Sequence, residues 1–122
     1  MLEETIHQYL TLCESDPALK DFARKRPIVV QYFIPDQEIQ FFMIFKDGEV
    51  HTGTGMASLP VTLNLTMGGK TFSGIMSGEI DGTSAALSGE MKFKGDPLKA
   101  MALQKIQKDL NRLWLEAVQN QA

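Results

Sequence analysis

Residues 61–67, Val61-Thr62-Leu63-Asn64-Leu65-Thr66-Met67, alternate apolar and polar side chains without interruption. Alternation with a period of two predicts a strand that buries one of its faces. The same pattern returns at residues 87–94, with Met91 and Phe93 inward and the charged side chains between them outward. Residues 69–78 place Phe72, Ile75 and Met76 on one side of a predicted helix. The sequence therefore predicts a strand–helix–strand unit in this part of the chain.

Three more strands are predicted before this unit, at Ile28–Ile34, Ile39–Lys46 and residues 49–55. Pro35-Asp36 and Asp47-Gly48 provide the turns between them. The middle strand is apolar on both faces, which is typical either of a core strand covered on both sides or of a sheet that forms a cavity wall. In a cavity wall, Met67, Met76, Met91 and Met101 could adapt to a bulky apolar guest because thioethers are flexible, but composition alone does not decide between the two interpretations.

Helices are predicted at both ends of the chain. Residues 2–13 carry apolar side chains at helical spacing, and Asp16-Pro17 predicts the start of a second helix. Asp96-Pro97 predicts the start of a closing helix that continues to about Val118 along one apolar stripe. We expect one domain over residues 1–122, of the α+β class, with a five-stranded, mostly antiparallel sheet covered by helices on one face.

Composition narrows the function classes. The 122 residues carry a net charge of -3, which argues against nucleic acid as the main partner. The longest apolar run, residues 41–45, is far shorter than the roughly 20 residues of a membrane span. The acidic N-terminal residues Glu3 and Glu4 and the single cysteine, Cys13, predict a cytoplasmic protein.

No motif predicts catalysis, a metal or a cofactor. Gly69-Lys70-Thr71 resembles the end of a phosphate-binding loop, but the first glycine of that motif would fall at Asn64, inside a predicted strand. His7 and His51 lack metal-ligand spacing. Cys13 falls on the apolar stripe of the first helix, where a buried, inert thiol is expected. We therefore predict that the protein is not an enzyme.

Several segments in series resemble the sterol carrier protein type-2 (sterol-binding) domain. The resemblance spans about Ile28 to Gln107 and implies a hydrophobic tunnel enclosed by the sheet and its helices. It also implies a carrier, and not an enzyme, for a fatty acid, fatty acyl-CoA, phospholipid or sterol. The segments that carry it are Lys46-Asp47-Gly48-Glu49-Val50, residues 61–67, Phe72 with Met76-Ser77-Gly78, residues 85–96 and residues 100–104.

The resemblance also implies a set of ligand-binding residues. By position, they are Phe72, Ile75 and Met76 on the predicted helix, Phe93 on the last strand, Met101 and Leu103 on the closing helix, and Phe33, Phe42, Ile44 and Leu65 on the sheet. We expect the polar head of the lipid to lie at the tunnel mouth. There the cluster Arg24-Lys25-Arg26 could meet an anionic head or membrane surface, although a solvated helix end explains it more simply.

The extension at residues 109–118 could pack within the chain, which is the default, close the tunnel as a lid, or contact a second subunit, so a monomer or weak dimer is expected. The chain could instead be an interaction or accessory module whose apolar groove takes a partner, and a nucleotide site at Gly69-Lys70-Thr71 is a distant third. The final residues, Asn120-Gln121-Ala122, lack a peroxisomal Ser-Lys-Leu-type tail, so a peroxisomal location is not expected.

Overall fold

The computed structural model describes residues 2–25 and 27–121, and this part of the chain forms six α-helices, five strands and a short 3-10 helix at Pro35–Gln37. The predicted α+β class is confirmed. The helices are α1 (Leu2–Ser15), α2 (Pro17–Lys25), α3 (Gly69–Ser77), α4 (Gly82–Ser88), α5 (Pro97–Lys105) and α6 (Gln107–Asn120). The strands are β1 (Ile28–Ile34), β2 (Ile39–Lys46), β3 (Glu49–Thr54), β4 (Leu63–Met67) and β5 (Met91–Gly95).

The strands form one sheet in the order β3-β2-β1-β4-β5. β1 and β4 run parallel, with Tyr32 beside Leu65, and every other neighbouring pair is antiparallel. The predicted mostly antiparallel sheet is therefore confirmed. The inner face, which the helices cover, carries buried side chains such as Phe41, Phe45 and Leu63, all with no exposed surface.

The connection from β3 to β4 explains why β2 is apolar on both faces. β3 lies at the sheet edge and β4 beside β1, so residues 55–62 must cross the outer face. Gln31, which points outward from β1, anchors this crossover: its amide nitrogen donates to the Gly55 carbonyl (2.8 Å) and its oxygen accepts from the Ala57 amide (2.9 Å). The crossover allows an outward side chain such as Ile44 to be only 6% exposed.

A helix occupies the start of the strand predicted at residues 87–94. Asp81 caps α4 by accepting from the Ser84 amide (3.0 Å), and Gly89 ends the helix with φ 86°. β5 consequently begins only at Met91. The alternation at Leu87 was misleading, because that side chain lies on α4 and is 85% exposed. A capping aspartate and a terminating glycine are the signals that reveal such a short helix.

The single closing helix predicted from Pro97 to about Val118 is divided at Ile106, whose backbone angles (φ -102°, ψ 8°) interrupt the helix. The bend lets the two parts meet different surfaces. α5 reaches the start of β1, where the Lys99 ammonium donates to the Pro27 carbonyl (2.6 Å). α6 instead packs on α1, where the Trp114 and Tyr9 rings meet edge-on with their centroids 5.4 Å apart. Residues 109–118 thus pack within the chain, as the default interpretation predicts.

Candidate ligand cavity

A cavity of about 220 Å³ lies between the inner face of the sheet and helices α3, α4 and α5. Its sheet wall comes from β1, β4 and β5, and its helical wall comes from the apolar side of α3. Seven of the ten predicted site residues line it: Leu65, Phe72, Ile75, Met76, Phe93, Met101 and Leu103. The four methionines predicted to adapt to a guest line it as well.

The structure does not bring the other three predicted residues into this cavity. Phe33, Phe42 and Ile44 point from the outer face of the sheet, because each alternates with an inward neighbour on its strand. Phe42 packs instead at Gly53, where an added Cβ would lie 2.7 Å from the Phe42 ring. Because β2 is apolar on both faces, its sequence pattern does not indicate which face meets the cavity.

Sequence reasoning missed the polar part of the lining, which comprises Tyr32, Thr83, Gln104 and Gln107. Thr83 was missed because it lies on α4, a helix that the sequence analysis did not predict. Gln104 and Gln107 flank the bend at Ile106 and reach the cavity from α5 and α6. An interruption of the closing helix is the feature that would have revealed them.

The cavity is electrically neutral, because none of the described residues that line it carries a charge. Its polar groups are hydroxyls and amides, and the Gln107 amide nitrogen donates to the Asn111 side-chain oxygen (2.7 Å). Burial raises the pKa of Tyr32 well above its ordinary value of 10.0, so this phenol stays protonated. Such a lining favours an apolar guest and offers no partner for a buried charge.

The cavity opens between β5 and α5. Phe93 and Met101 line the cavity and also reach solvent, with 37% and 63% of their surfaces exposed. Met101 was predicted on a buried stripe, but it is exposed on α5, whereas Ala102 and Ile106 of the same stripe are buried. Met101 also lines a second cleft, of about 500 Å³, between α2 and α5. The cavity and this cleft lie on different sides of α5 and share Met101 in their linings.

The other candidate motifs have structural explanations. Asp36 accepts a hydrogen bond from the Gly69 amide (2.9 Å), so a carboxylate already occupies the end of α3 where a nucleotide phosphate would lie. Burial raises the pKa of the Cys13 thiol to about 12, which agrees with the predicted inert thiol. Arg24 pairs with Asp21 (3.4 Å), while Arg26 lies outside the described residues. Within residues 2–25 and 27–121, no group of side chains has a metal-binding arrangement.

Among the helices of residues 2–25 and 27–121, none combines the length and the apolar character that crossing a membrane requires.

Comparison with protein families gives a match over most of the chain. The model described as the SCP-2 sterol transfer family matches residues 6–108. No curated protein sequence matches at a significant level.

Solved structures show the same fold. The apo form of sterol carrier protein 2 from Yarrowia lipolytica matches with a TM-score of 0.66 and 18% identity, over 87% of this chain and 89% of that one. A protein described as UbiJ-SCP2, a ubiquinone synthesis protein, matches with a TM-score of 0.63 and 16% identity, over 89% and 91%. At these identities the likeness shows the fold alone.

A third similar structure is much longer than this chain. The sec-alkylsulfatase Pisa1 from Pseudomonas sp. matches with a TM-score of 0.61 and 16% identity, over 70% of this chain. The matched part is only 14% of the alkylsulfatase. The fold therefore also occurs as a small part of an enzyme.

Proposed function

The chain belongs to the SCP-2 sterol transfer family, and from this premise we propose that it binds a single lipid in the cavity and transfers it without changing it chemically. The observation that carries the proposal is a neutral, largely apolar cavity that opens to solvent beside Met101. The proposed guests are a fatty acid, a fatty acyl-CoA, a phospholipid or a sterol-like molecule.

Binding would be driven by removing the apolar part of the lipid from water, which contributes about 0.8 kcal/mol for each buried methylene before ordering costs. The cavity of about 220 Å³ is smaller than the roughly 300–1,000 Å³ typical of ligand pockets. The guest would therefore extend through the mouth or displace the methionine side chains. Thioethers suit this role because they change rotamer at low cost. In this way the cavity becomes a tunnel when a ligand is bound.

Transfer requires contact with the membrane that supplies or receives the lipid. Leu87 and Leu98, 85% and 67% exposed, lie on α4 and α5, two of the helices that line the cavity, and suit a transient contact with a membrane surface. We propose that the protein acts as a monomer or weak dimer in a reducing compartment such as the cytoplasm. The buried free thiol of Cys13 supports that location.

A cavity-filling substitution tests the proposal. Met91 lines the cavity, so Met91→Trp should occupy the volume that the lipid needs. Met56 is 73% exposed in the crossover on the outer face, which makes Met56→Trp the matched control. After delipidation and incubation with lipid, we expect mass spectrometry of organic extracts to recover stoichiometric lipid from the wild type and the control, and at least about tenfold less from Met91→Trp. Equal recovery from all three proteins would contradict binding in this cavity.

The alternative function is an interaction or accessory module in which a partner segment occupies the groove. The alkylsulfatase supports it, because the similar region there is a small part of an enzyme. The same extraction separates the two functions. A wild-type extract without lipid at saturating lipid concentration would favour the accessory module.

A further inference from the structure

β5 forms one edge of the sheet, and large apolar side chains are exposed on it and on the helices that adjoin it. Phe93 on β5 and Met101 on α5 line the opening of the cavity and are 37% and 63% exposed. Leu98 lies one turn before Met101 on α5 and is 67% exposed. Leu87 lies on α4, which packs on β5, and is 85% exposed. An apolar surface of this kind, beside the opening of a cavity, marks a site of contact with another body.

Lysines accompany these apolar side chains. Residues 90–108 contain five lysines and only two acidic residues, although the whole chain carries a net charge of -3. Lys92 and Lys94 are exposed on β5, and neither forms an ion pair with any described residue. Asp96, one of the two acids, caps α5 by accepting from the Leu98 amide (2.9 Å). β5 therefore presents two ammonium groups beside the exposed apolar side chains.

The opposite edge of the sheet is acidic. β3 forms that edge, and the Glu14 carboxylate of α1 accepts there from the amide (2.8 Å) and the hydroxyl (3.0 Å) of Thr52. Glu49 is exposed on β3, and Glu3 lines a shallow depression together with Thr54 at the end of this strand. An anionic surface would therefore attract β5 and repel β3, which orients the approaching protein.

The N-terminal helix α1 offers no comparable surface. Its apolar side, which includes Ile6, Tyr9 and Cys13, is buried in the core. Its first turn carries the acidic residues Glu3 and Glu4. Such a helix would gain nothing from contact with an anionic surface. Exposed apolar side chains and unpaired lysines occur together at β5 instead.

We propose that one surface, the β5 edge, docks on an anionic lipid bilayer and turns the opening of the cavity toward it. The β5 edge comprises Lys92, Lys94 and the exposed apolar side chains of Leu87, Phe93, Leu98 and Met101. The apolar side chains would enter the interface below the headgroups, while the two ammonium groups would meet lipid phosphates. This inference rests on the proposed function, because transfer needs such a contact, and it adds the surface that makes the contact and the charge of the membrane.

The test measures co-sedimentation of the full chain with vesicles at low and high salt. Vesicles of phosphatidylcholine alone are compared with vesicles of an equimolar mixture of phosphatidylcholine and phosphatidylglycerol. Lys92→Gln/Lys94→Gln removes the two charges of the β5 edge, and neither lysine lines the cavity. The matched control, Lys20→Gln/Lys46→Gln, removes the same charge from α2 and β2, and α2 packs on β2 and β3.

We expect the wild type to prefer the mixed vesicles, and Lys92→Gln/Lys94→Gln to bind them at least about tenfold more weakly at low salt. Each lysine beside an anionic membrane contributes about fivefold in affinity. The difference should shrink at high salt, and the control should bind nearly as the wild type does. An equal loss in the control would overturn the β5 edge in favour of an effect of net charge. Equal binding of the wild type to both kinds of vesicle would overturn the anionic preference.

A second pair of variants tests the apolar part of the β5 edge. Leu87→Gln/Leu98→Gln removes two side chains that the folded protein already exposes, so it should fold normally and bind the mixed vesicles about three- to tenfold more weakly. The matched control is Met56→Gln/Leu115→Gln, at positions that are 73% and 58% exposed elsewhere. Unchanged binding of Leu87→Gln/Leu98→Gln would overturn docking into a bilayer in favour of attraction to any polyanion, such as an acidic protein.

Lipid uptake, measured by organic extraction of the same proteins, separates the β5 edge from the cavity. Lys92→Gln/Lys94→Gln should take up as much lipid as the wild type. If the wild type takes up lipid but does not sediment with the mixed vesicles, the β5 edge is overturned and the cavity stands. If the wild type sediments with the vesicles through the β5 edge but takes up no lipid, the proposed function fails while the docking surface is supported.

Discussion

Replacing Phe72 by alanine should enlarge the lipid cavity at the expense of stability. Phe72 lines the cavity and is only 1% exposed. Its ring packs edge-on against three aromatic rings, with centroid distances of 6.2 Å to Tyr32, 5.8 Å to Phe41 and 5.3 Å to Trp114. The Phe72 side chain therefore lies between the cavity and the rings of Phe41 and Trp114, which do not line the cavity.

Phe72→Ala should lower the free energy of unfolding by about 3–5 kcal/mol, because it removes a whole buried ring and leaves a void. A 122-residue protein has a total stability of about 6–18 kcal/mol at the usual range per residue, so the variant should still fold. Phe72→Leu keeps most of the volume and provides a milder version of the same change. Urea unfolding followed by circular dichroism measures both.

Phe45→Ala is the matched control. Phe45 is also fully buried on the inner face, but it packs against Phe22 (5.2 Å) and does not line the cavity. The two alanine variants should therefore lose similar stability.

The gain in stability on lipid binding should distinguish Phe72→Ala from Phe45→Ala. At a hundred times its Kd, a ligand adds about 2.7 kcal/mol to the stability of the wild type, and we expect the same gain in Phe45→Ala. Phe72→Ala should gain a different amount, because its cavity is larger. An equal gain in all three proteins would refute the position of Phe72 in the wall of the binding cavity.

Two further predictions concern stability. An added Cβ at Gly95 (φ 141°) would collide with the Thr62 carbonyl oxygen, whereas at Gly89 (φ 86°) it would meet no atom within 4 Å. In urea unfolding, Gly95→Ala should therefore lower the free energy of unfolding by at least about 2 kcal/mol more than Gly89→Ala does. Equal losses would contradict the close approach of β5 to β4. Burial raises the pKa of Cys13 from 9.0 to about 12, so its contribution is complete below pH 9 and is lost as the pH rises toward 12, because the unfolded thiol ionises first. As the pH rises from about 8 to 11, the free energy of unfolding of Cys13→Ala should therefore fall by up to about 3 kcal/mol less than that of the wild type. Parallel curves of stability against pH for the two proteins would argue against a buried thiol.

The sequence by itself determined the features that depend on neighbouring residues. The alternation at residues 61–67 predicted β4, and Asp16 and Asp96 cap α2 and α5 as expected, accepting from the Leu19 (3.1 Å) and Leu98 (2.9 Å) amides. Periodicity and capping act over one or two turns, so their signals are complete within a short segment. Seven residues that line the cavity were predicted from the family resemblance, which assigned them by position.

Only the tertiary structure decided which face of β1 and β2 meets the cavity. The crossover at residues 55–62 covers the outer face, so Ile44 and Phe41 are both buried although they point in opposite directions. Likewise, the bend at Ile106 places α5 against the cavity and α6 against α1, and it brings Lys105 to the same cleft as Lys25. These relations join residues that are distant in sequence, and no local pattern records them, because they arise only when the sheet order and the packing of the helices are established together.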